Sequence, residues 1–193
     1  MKTTFLSIIV FFISLTQVHA QTYTIDSGHS SVQIRVERFG VVDVVGRFED
    51  VQGSITFNDQ DITKTTANAL IQVNSYDANN KGGEDAVKSP AFLDVANYPE
   101  INFIGRQVIE KEGKHYLVGE LTIHGATNAI ELPFTVKGPL LDLPTQKQSI
   151  AFNAAITINR QDYDVKFDRK LPNGTPLVSN DIRITVTVLA IAE

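Results

Sequence analysis

No cysteine occurs in the 193 residues, and tryptophan is missing as well. The first absence excludes disulfides, thiol redox chemistry and cysteine-built zinc sites, so a folded form must rest on its hydrophobic core. Basic residues are in deficit: 17 Lys and Arg face 22 Asp and Glu, a formal charge of −5, and no long basic run offsets it. That balance argues against nucleic acid or anionic headgroups as electrostatic partners. The sequence also lacks the Gly-x-Ser-x-Gly elbow of a hydrolase and the Asp-x-Asp-x-Asp-Gly loop of a calcium site. Long hydrophobic runs are scarce: the uncharged apolar stretch Phe5–Leu15 covers 11 residues, short of the roughly 20 that cross a bilayer.

That stretch follows Lys2 and precedes Val18-His19-Ala20-Gln21, the layout of a secretory signal peptide cleaved after Ala20. Residues 1–20 are therefore set apart, and 21–193 are read as one domain of ordinary size. The expected destination is the periplasm or the exterior. No cysteine lies where a processed N-terminus could be lipidated, and no integral membrane anchor is expected.

What is present is alternation. Val32, Ile34 and Val36 alternate with Gln33, Arg35 and Glu37, the mark of a strand with one buried face. The same beat marks Val44 to Phe48, Ile55 with Phe57, Ala67 to Val73, and Ile101 with Phe103. It returns in Leu117 to Ile123, Ile130 to Val136, Ile150 to Ile158 and Ile182 to Val188. Glu110-Lys111-Glu112-Gly113-Lys114 and Gly125-Ala126-Thr127-Asn128 read as hairpin connections. The result is about eight antiparallel strands, a barrel or a sandwich. Outward-facing apolar residues in an outer-membrane barrel would give the same alternation, but that class carries aromatic girdles, and this chain has no Trp and only five Tyr. One stretch breaks the beat. Ser89-Pro90 reads as an N-cap and first helical residue, with Phe92, Leu93 and Val95 on the apolar face, and Glu84 to Lys88 as a further short helix.

Candidate chemistry is sparse. His124 ends one alternating strand before Gly125, where it serves a hairpin corner; His29, His115 and His124 have no spacing suited to a local chelate. His29 beside Ser30 suggests an activated nucleophile, yet neighbours on a strand point to opposite faces, and a turn around Asp26 to Ser30 is the simpler reading. Asp162, Asp164, Asp168 and Asp181 read as a solvated acidic rim.

Four segments together resemble the YceI-like family of exported lipid-binding proteins. They are Tyr23-x-Ile25-Asp26-x-x-His29-Ser30; Val45-Gly46-Arg47-Phe48 leading to Gly53-x-Ile55-x-Phe57; Lys88-Ser89-Pro90-x-Phe92-Leu93-Asp94-Val95-x-x-Tyr98-Pro99-x-Ile101-x-Phe103; and Gly119-x-Leu121-Thr122-Ile123-His124-Gly125. Their order spans Tyr23 to Ile191. One departure stands out: where family members often carry an acidic residue, a histidine and a leucine before Lys-Ser-Pro, this chain has Asp85-Ala86-Val87.

The resemblance implies an all-β fold, an eight-stranded antiparallel lipocalin-like barrel with a short helical insertion. It also implies a polyprenyl or isoprenoid-quinone ligand inside the barrel, and a homodimer; the reading adopted is storage or transport of that ligand without catalysis, cofactor or metal. An eight-stranded barrel can hold packed side chains or one slim ligand. On a hollow interior, the candidate ligand contacts are Ile34, Val36, Phe48, Phe57, Ile71, Phe92, Phe103, Leu121, Phe134 and Phe152. Two other readings stay open: a small-lipid-modifying enzyme using His29 or His124, and an envelope interaction module with a filled core.

Overall fold

The computed structural model describes residues 20–193. The expected signal peptide falls, apart from Ala20, outside the described residues. Among the described residues no helix is long and apolar enough to cross a membrane.

Among the described residues eleven strands and one α-helix follow in order. The first six are β1 (Gln21–Ile25), β2 (Ser31–Arg38), β3 (Val42–Phe48), β4 (Val51–Phe57), β5 (Thr66–Gln72) and β6 (Tyr76–Asp77), before α1 (Lys81–Lys88). Then come β7 (Glu100–Lys111), β8 (Lys114–Ile123), β9 (Ala126–Asp142), β10 (Lys147–Asn159) and β11 (Val178–Ala192). The pairs β1 with β2, β3 with β4 and β5 with β6 are single staves broken by a bend, so the wall has eight staves. Each runs antiparallel to the next, and β1 pairs with both β4 and β11, closing the ring.

The three bends are stitched together by serine hydroxyls that replace missing ladder bonds. Ser27 Oγ donates to Glu49 O at 3.1 Å and accepts from Val51 N at 3.2 Å. Ser75 Oγ accepts from Glu49 N and donates to Gln72 O at 2.7 Å. Ser30 Oγ bridges to both backbone groups of Leu189. Ser30 is thus occupied structurally. The expected turn around it is a short 3-10 turn, Ser27–His29, capped by the Asp26 carboxylate, which accepts from Gly28 N.

The alternating apolar face points inward. Val32, Phe48, Ile55, Phe103, Leu121 and Ile150 are buried, whereas Gln33, Arg35 and Glu37 on the opposite face of β2 are exposed. At one end of the barrel Tyr23, Ile55, Leu117 and Ile150 are almost fully buried in a packed plug. This closed end is sealed by the loops 58–65, 112–113 and 143–146; the opposite, open end carries 39–41, 78–99, 124–125 and 160–177.

Two loops of the closed end are tied by carboxylates. Asp61 accepts from the Thr63 amide and hydroxyl, and Asp142 from those of Thr145. Chiefly through these side-chain hydrogen bonds, both carboxyls are held below the usual range. Because the folded pKa is depressed, the contribution is complete above the unfolded value near 4 and is lost as pH falls through the folded value. Denaturation midpoints should therefore decline below about pH 4, and the D61N/D142N variant should show a shallower acid slope in the same titration.

Two local expectations are corrected. Ser89 does not open a helix; it ends α1, with its hydroxyl donating to Ala86 O and its backbone extended. Pro90 imposes this, since the residue before a proline avoids the helical region. Asn80 is the actual N-cap, accepting from Gly83 N, while the Glu84 carboxylate accepts from the amides of Ala78 and Asn80. Second, the β8–β9 turn is His124-Gly125, both at positive φ (50° and 78°), and Ala126 to Asn128 already belong to β9.

A chamber in the open half of the barrel

The inward stripe of β10 locates a void. Ile150, Phe152 and Ala154 are buried, but Ile156 and Ile158, on the same face and nearer the open end, are only half-buried. Ile34, Val36, Ile182 and Ile184 on β2 and β11 behave alike. Their exposed surface faces a chamber of about 290 Å³ inside the wall.

Seven of the ten sequence candidates line this chamber: Ile34, Val36, Phe48, Ile71, Phe92, Phe103 and Leu121. Phe57, Phe134 and Phe152 do not line it. Phe57 pairs with Gln21 at the last rung of the closed end, and Phe134 stacks on Phe152 at 5.0 Å between centroids and 14° between planes. They form part of the plug, because alternation fixes which way a side chain points but not its height along the barrel. A filled interior, the condition of the interaction-module reading, is not what the open half contains.

The chamber is roofed by the helical insertion. Gly83, Ala86 and Val87 of α1 and the following Phe92 and Leu93 border it. Phe92 meets Phe167 of the 160–177 loop at 4.7 Å between centroids, joining the two covers.

Polar groups are few among the lining residues, and the alternation passed over the most consequential. Arg160 continues the inward stripe Ile156, Ile158, yet it is 5% exposed. Its Nε donates to Ser179 O at 3.0 Å, Nη1 to Val165 O at 2.6 Å, and Nη2 to Phe167 O at 2.5 Å and Asn180 Oδ1 at 2.9 Å. Burial pulls its pKa down, opposed by the nearby Asp168. Arg38 likewise continues the parity of Ile34 and Val36 and lines the mouth.

Tyr76 and Tyr163 add two phenols, both pushed up from the ordinary range mainly by burial and remaining neutral. Tyr76 packs against Phe48 at 5.2 Å between centroids and lies over Gly46. A Cβ at Gly46 would overlap the phenol. Gly46→Ala should therefore displace Tyr76 and cost about 1–3 kcal/mol by overpacking, read as a lower denaturation midpoint.

Neither candidate acid–base histidine lines the chamber. His29 is 74% exposed at its side chain on the outer surface, with Nδ1 2.7 Å from Asp26 Oδ2. His124 occupies the β8–β9 turn, packed on Tyr98 at 4.4 Å between centroids, and its Nδ1 is buried without a partner. It borders a separate polar hollow with Asp164, Lys166, Asp168 and Arg169. There the Lys166 ammonium, 2.5 Å away, holds the Asp164 carboxyl below its usual range.

An up-and-down ring of eight antiparallel staves, plugged at one end and hollow and apolar at the other, defines a barrel of lipocalin-like architecture with a chamber in its open half. Residues 23–190 match the YceI-like domain, and the chain belongs to the YceI-like family. A UPF0312 protein of Photorhabdus laumondii is 30% identical over 152 residues, covering 77% of this chain and 78% of that one. A UPF0312 protein of Vibrio parahaemolyticus is 28% identical over 149 residues, 76% of this chain and 78% of that one. Among solved structures, BcnA of Burkholderia cenocepacia superposes with a TM-score of 0.74 at 22% identity, covering 86% of this chain and 99% of that one. A polyisoprenoid binding domain from Saccharophagus degradans gives 0.70 at 15% identity, covering 90% and 99%. At these identities the structural likeness is one of fold.

Proposed function

We propose that this protein binds a long-chain isoprenoid lipid, a polyprenyl or isoprenoid quinone, in the open half of its barrel, and stores or carries it in the periplasm without catalysis. The observation that carries this reading is the chamber itself: a void walled by Val, Ile, Leu and Phe side chains in a barrel whose other half is solid. Water-filled space against such walls is unfavourable, and burying prenyl surface there contributes about 25 cal/mol per Å². Membership of the YceI-like family and the likeness in fold to the polyisoprenoid binding domain of Saccharophagus degradans support the ligand class.

The chamber lies at the lower edge of the range for small-molecule sites, about 300–1,000 Å³. A long prenyl chain does not fit under a closed roof, so Phe92 and Leu93 must shift or the tail must leave through the mouth. The enzyme reading loses support because His29 and His124 both stand apart from the chamber. Export rests on the first twenty residues, and a homodimer on the family resemblance; sedimentation equilibrium returning a monomer removes the latter.

The test is extraction. Protein purified from a bacterial envelope, extracted with organic solvent and analysed by mass spectrometry, should yield a polyprenyl species in near-stoichiometric amount. If no amphiphile is retained, and prenyl quinones added later do not bind, the reading is lost. H29A and H124A should bind within about twofold of wild type, a difference well below the 1.4 kcal/mol of a tenfold change.

A further inference from the structure

The β2–β3 hairpin overhangs the mouth of the chamber. Val36 and Val44 are register partners inside the wall, Arg38 and Val42 form the next rung of the same parity, at the rim, and Phe39-Gly40 make the turn. Val41 N donates to Arg38 O at 3.2 Å, and both central residues have positive φ, 60° and 65°. This is the hairpin turn normally filled by Asn-Gly or Asp-Gly. A bulky aromatic in the left-handed region is uncommon and strained, so Phe39 is not there for the turn's own sake.

Beyond it the surface is apolar: Val41 is 85% exposed and Val42 51%. The Arg38 guanidinium lies over the Phe39 ring at 3.9 Å. Among the described residues no carboxylate forms a salt bridge with it. Apolar residues thus lead from the chamber wall at Val44 to Val42 at the rim and Val41 at the tip, with Arg38 beside them and the exposed pair Glu37 and Asp43 on the outer face of the hairpin.

We propose that this tip docks on a phospholipid bilayer and that the ligand passes between membrane and chamber along these valines. The inference rests on the proposed lipid function and adds where the exchange takes place. A few side chains at a hairpin tip fall far short of the roughly 800 Å² per partner of a stable protein interface, but they suit shallow insertion into the headgroup region. An arginine with an apolar stem can keep its charge among the phosphates there. Because the chain carries a formal charge of −5, attraction to anionic lipid adds little, and docking should be apolar and nearly independent of salt.

The test is co-flotation with phosphatidylcholine vesicles, with and without phosphatidylglycerol, and loading from vesicles doped with a prenyl quinone. Three proteins are compared: wild type, V41D/V42D, and L141D/L143D, the last altering the exposed leucines of the β9–β10 hairpin at the closed end. Wild type and L141D/L143D should float to the same extent in both lipids. V41D/V42D should float and load from vesicles at least about tenfold less, as the loss of two valines inserted in the bilayer implies, yet load equally from detergent. A wild type that does not float, a V41D/V42D protein that floats and loads like wild type, or flotation lost only in L141D/L143D overturns the proposal. Detergent loading reports the chamber alone, so failed docking with intact detergent loading leaves the lipid function standing.

Discussion

Filling the chamber of this YceI-like barrel is expected to abolish lipid retention while leaving the barrel folded. Ile34 on β2 and Ile184 on β11 are register partners, both half-buried and both facing the void. The double variant I34W/I184F places two aromatic side chains in a space of about 290 Å³. Excluding about 100 Å² of ligand surface at about 25 cal/mol per Å² removes ~2.5 kcal/mol, close to a hundredfold in affinity. In a packed core the same enlargement would cost about 1–3 kcal/mol, but here the added atoms enter existing space, and stability should change by less than about 1 kcal/mol. Phe134→Leu in the closed-end plug should do the reverse, lowering the denaturation midpoint with affinity unchanged. Prenyl quinone titration beside urea denaturation separates the two. Equal affinities for wild type and I34W/I184F would mean that the lipid lies elsewhere.

The largest stability effect is expected at Arg160. Its guanidinium holds the carbonyls of Val165, Phe167 and Ser179 and the Asn180 side chain, gathering the 160–177 loop over the mouth. Arg160→Met keeps much of the apolar stem but strands these acceptors in a buried setting. At about 1–3 kcal/mol for each uncompensated group, partly relieved by water from the mouth, the loss should be about 3–5 kcal/mol. For a domain of this size that corresponds to a fall of about 6–20 °C in Tm. Arg160→Lys should not rescue it, since a single ammonium has three donors and cannot span carbonyls reached here from three nitrogens. A Tm within about 2 °C of wild type, less than 1 kcal/mol by the same scaling, would show that the loop is held by other contacts.

Alternation made much of this barrel legible. Val32, Ile34 and Val36 point inward and Gln33, Arg35 and Glu37 outward, because a pleated strand leaves no other choice. Two further signals lay in the same beat. Arg38 and Arg160 share the inward parity of their strands, and a charged residue on an apolar stripe marks either a mouth or a clamp; here they are one of each. Height along the barrel was not legible. Phe57, Phe134 and Phe152 face inward as their spacing demands, but shear and loop lengths, which periodicity does not encode, place them in the plug. Nor did periodicity show that three staves are bent, since the bends depend on Ser27, Ser30 and Ser75 meeting backbone groups distant in sequence.

The most direct test is photo-crosslinking with a prenyl chain carrying a diazirine near its tail, followed by peptide mapping. Label is predicted on the peptides holding Val36, Ile71, Phe103 and Leu121, and it should be lost in I34W/I184F. Label confined to the outer face, to the Leu140–Leu143 hairpin or to the Phe134 and Phe152 plug would contradict a lipid housed in the open half of the barrel.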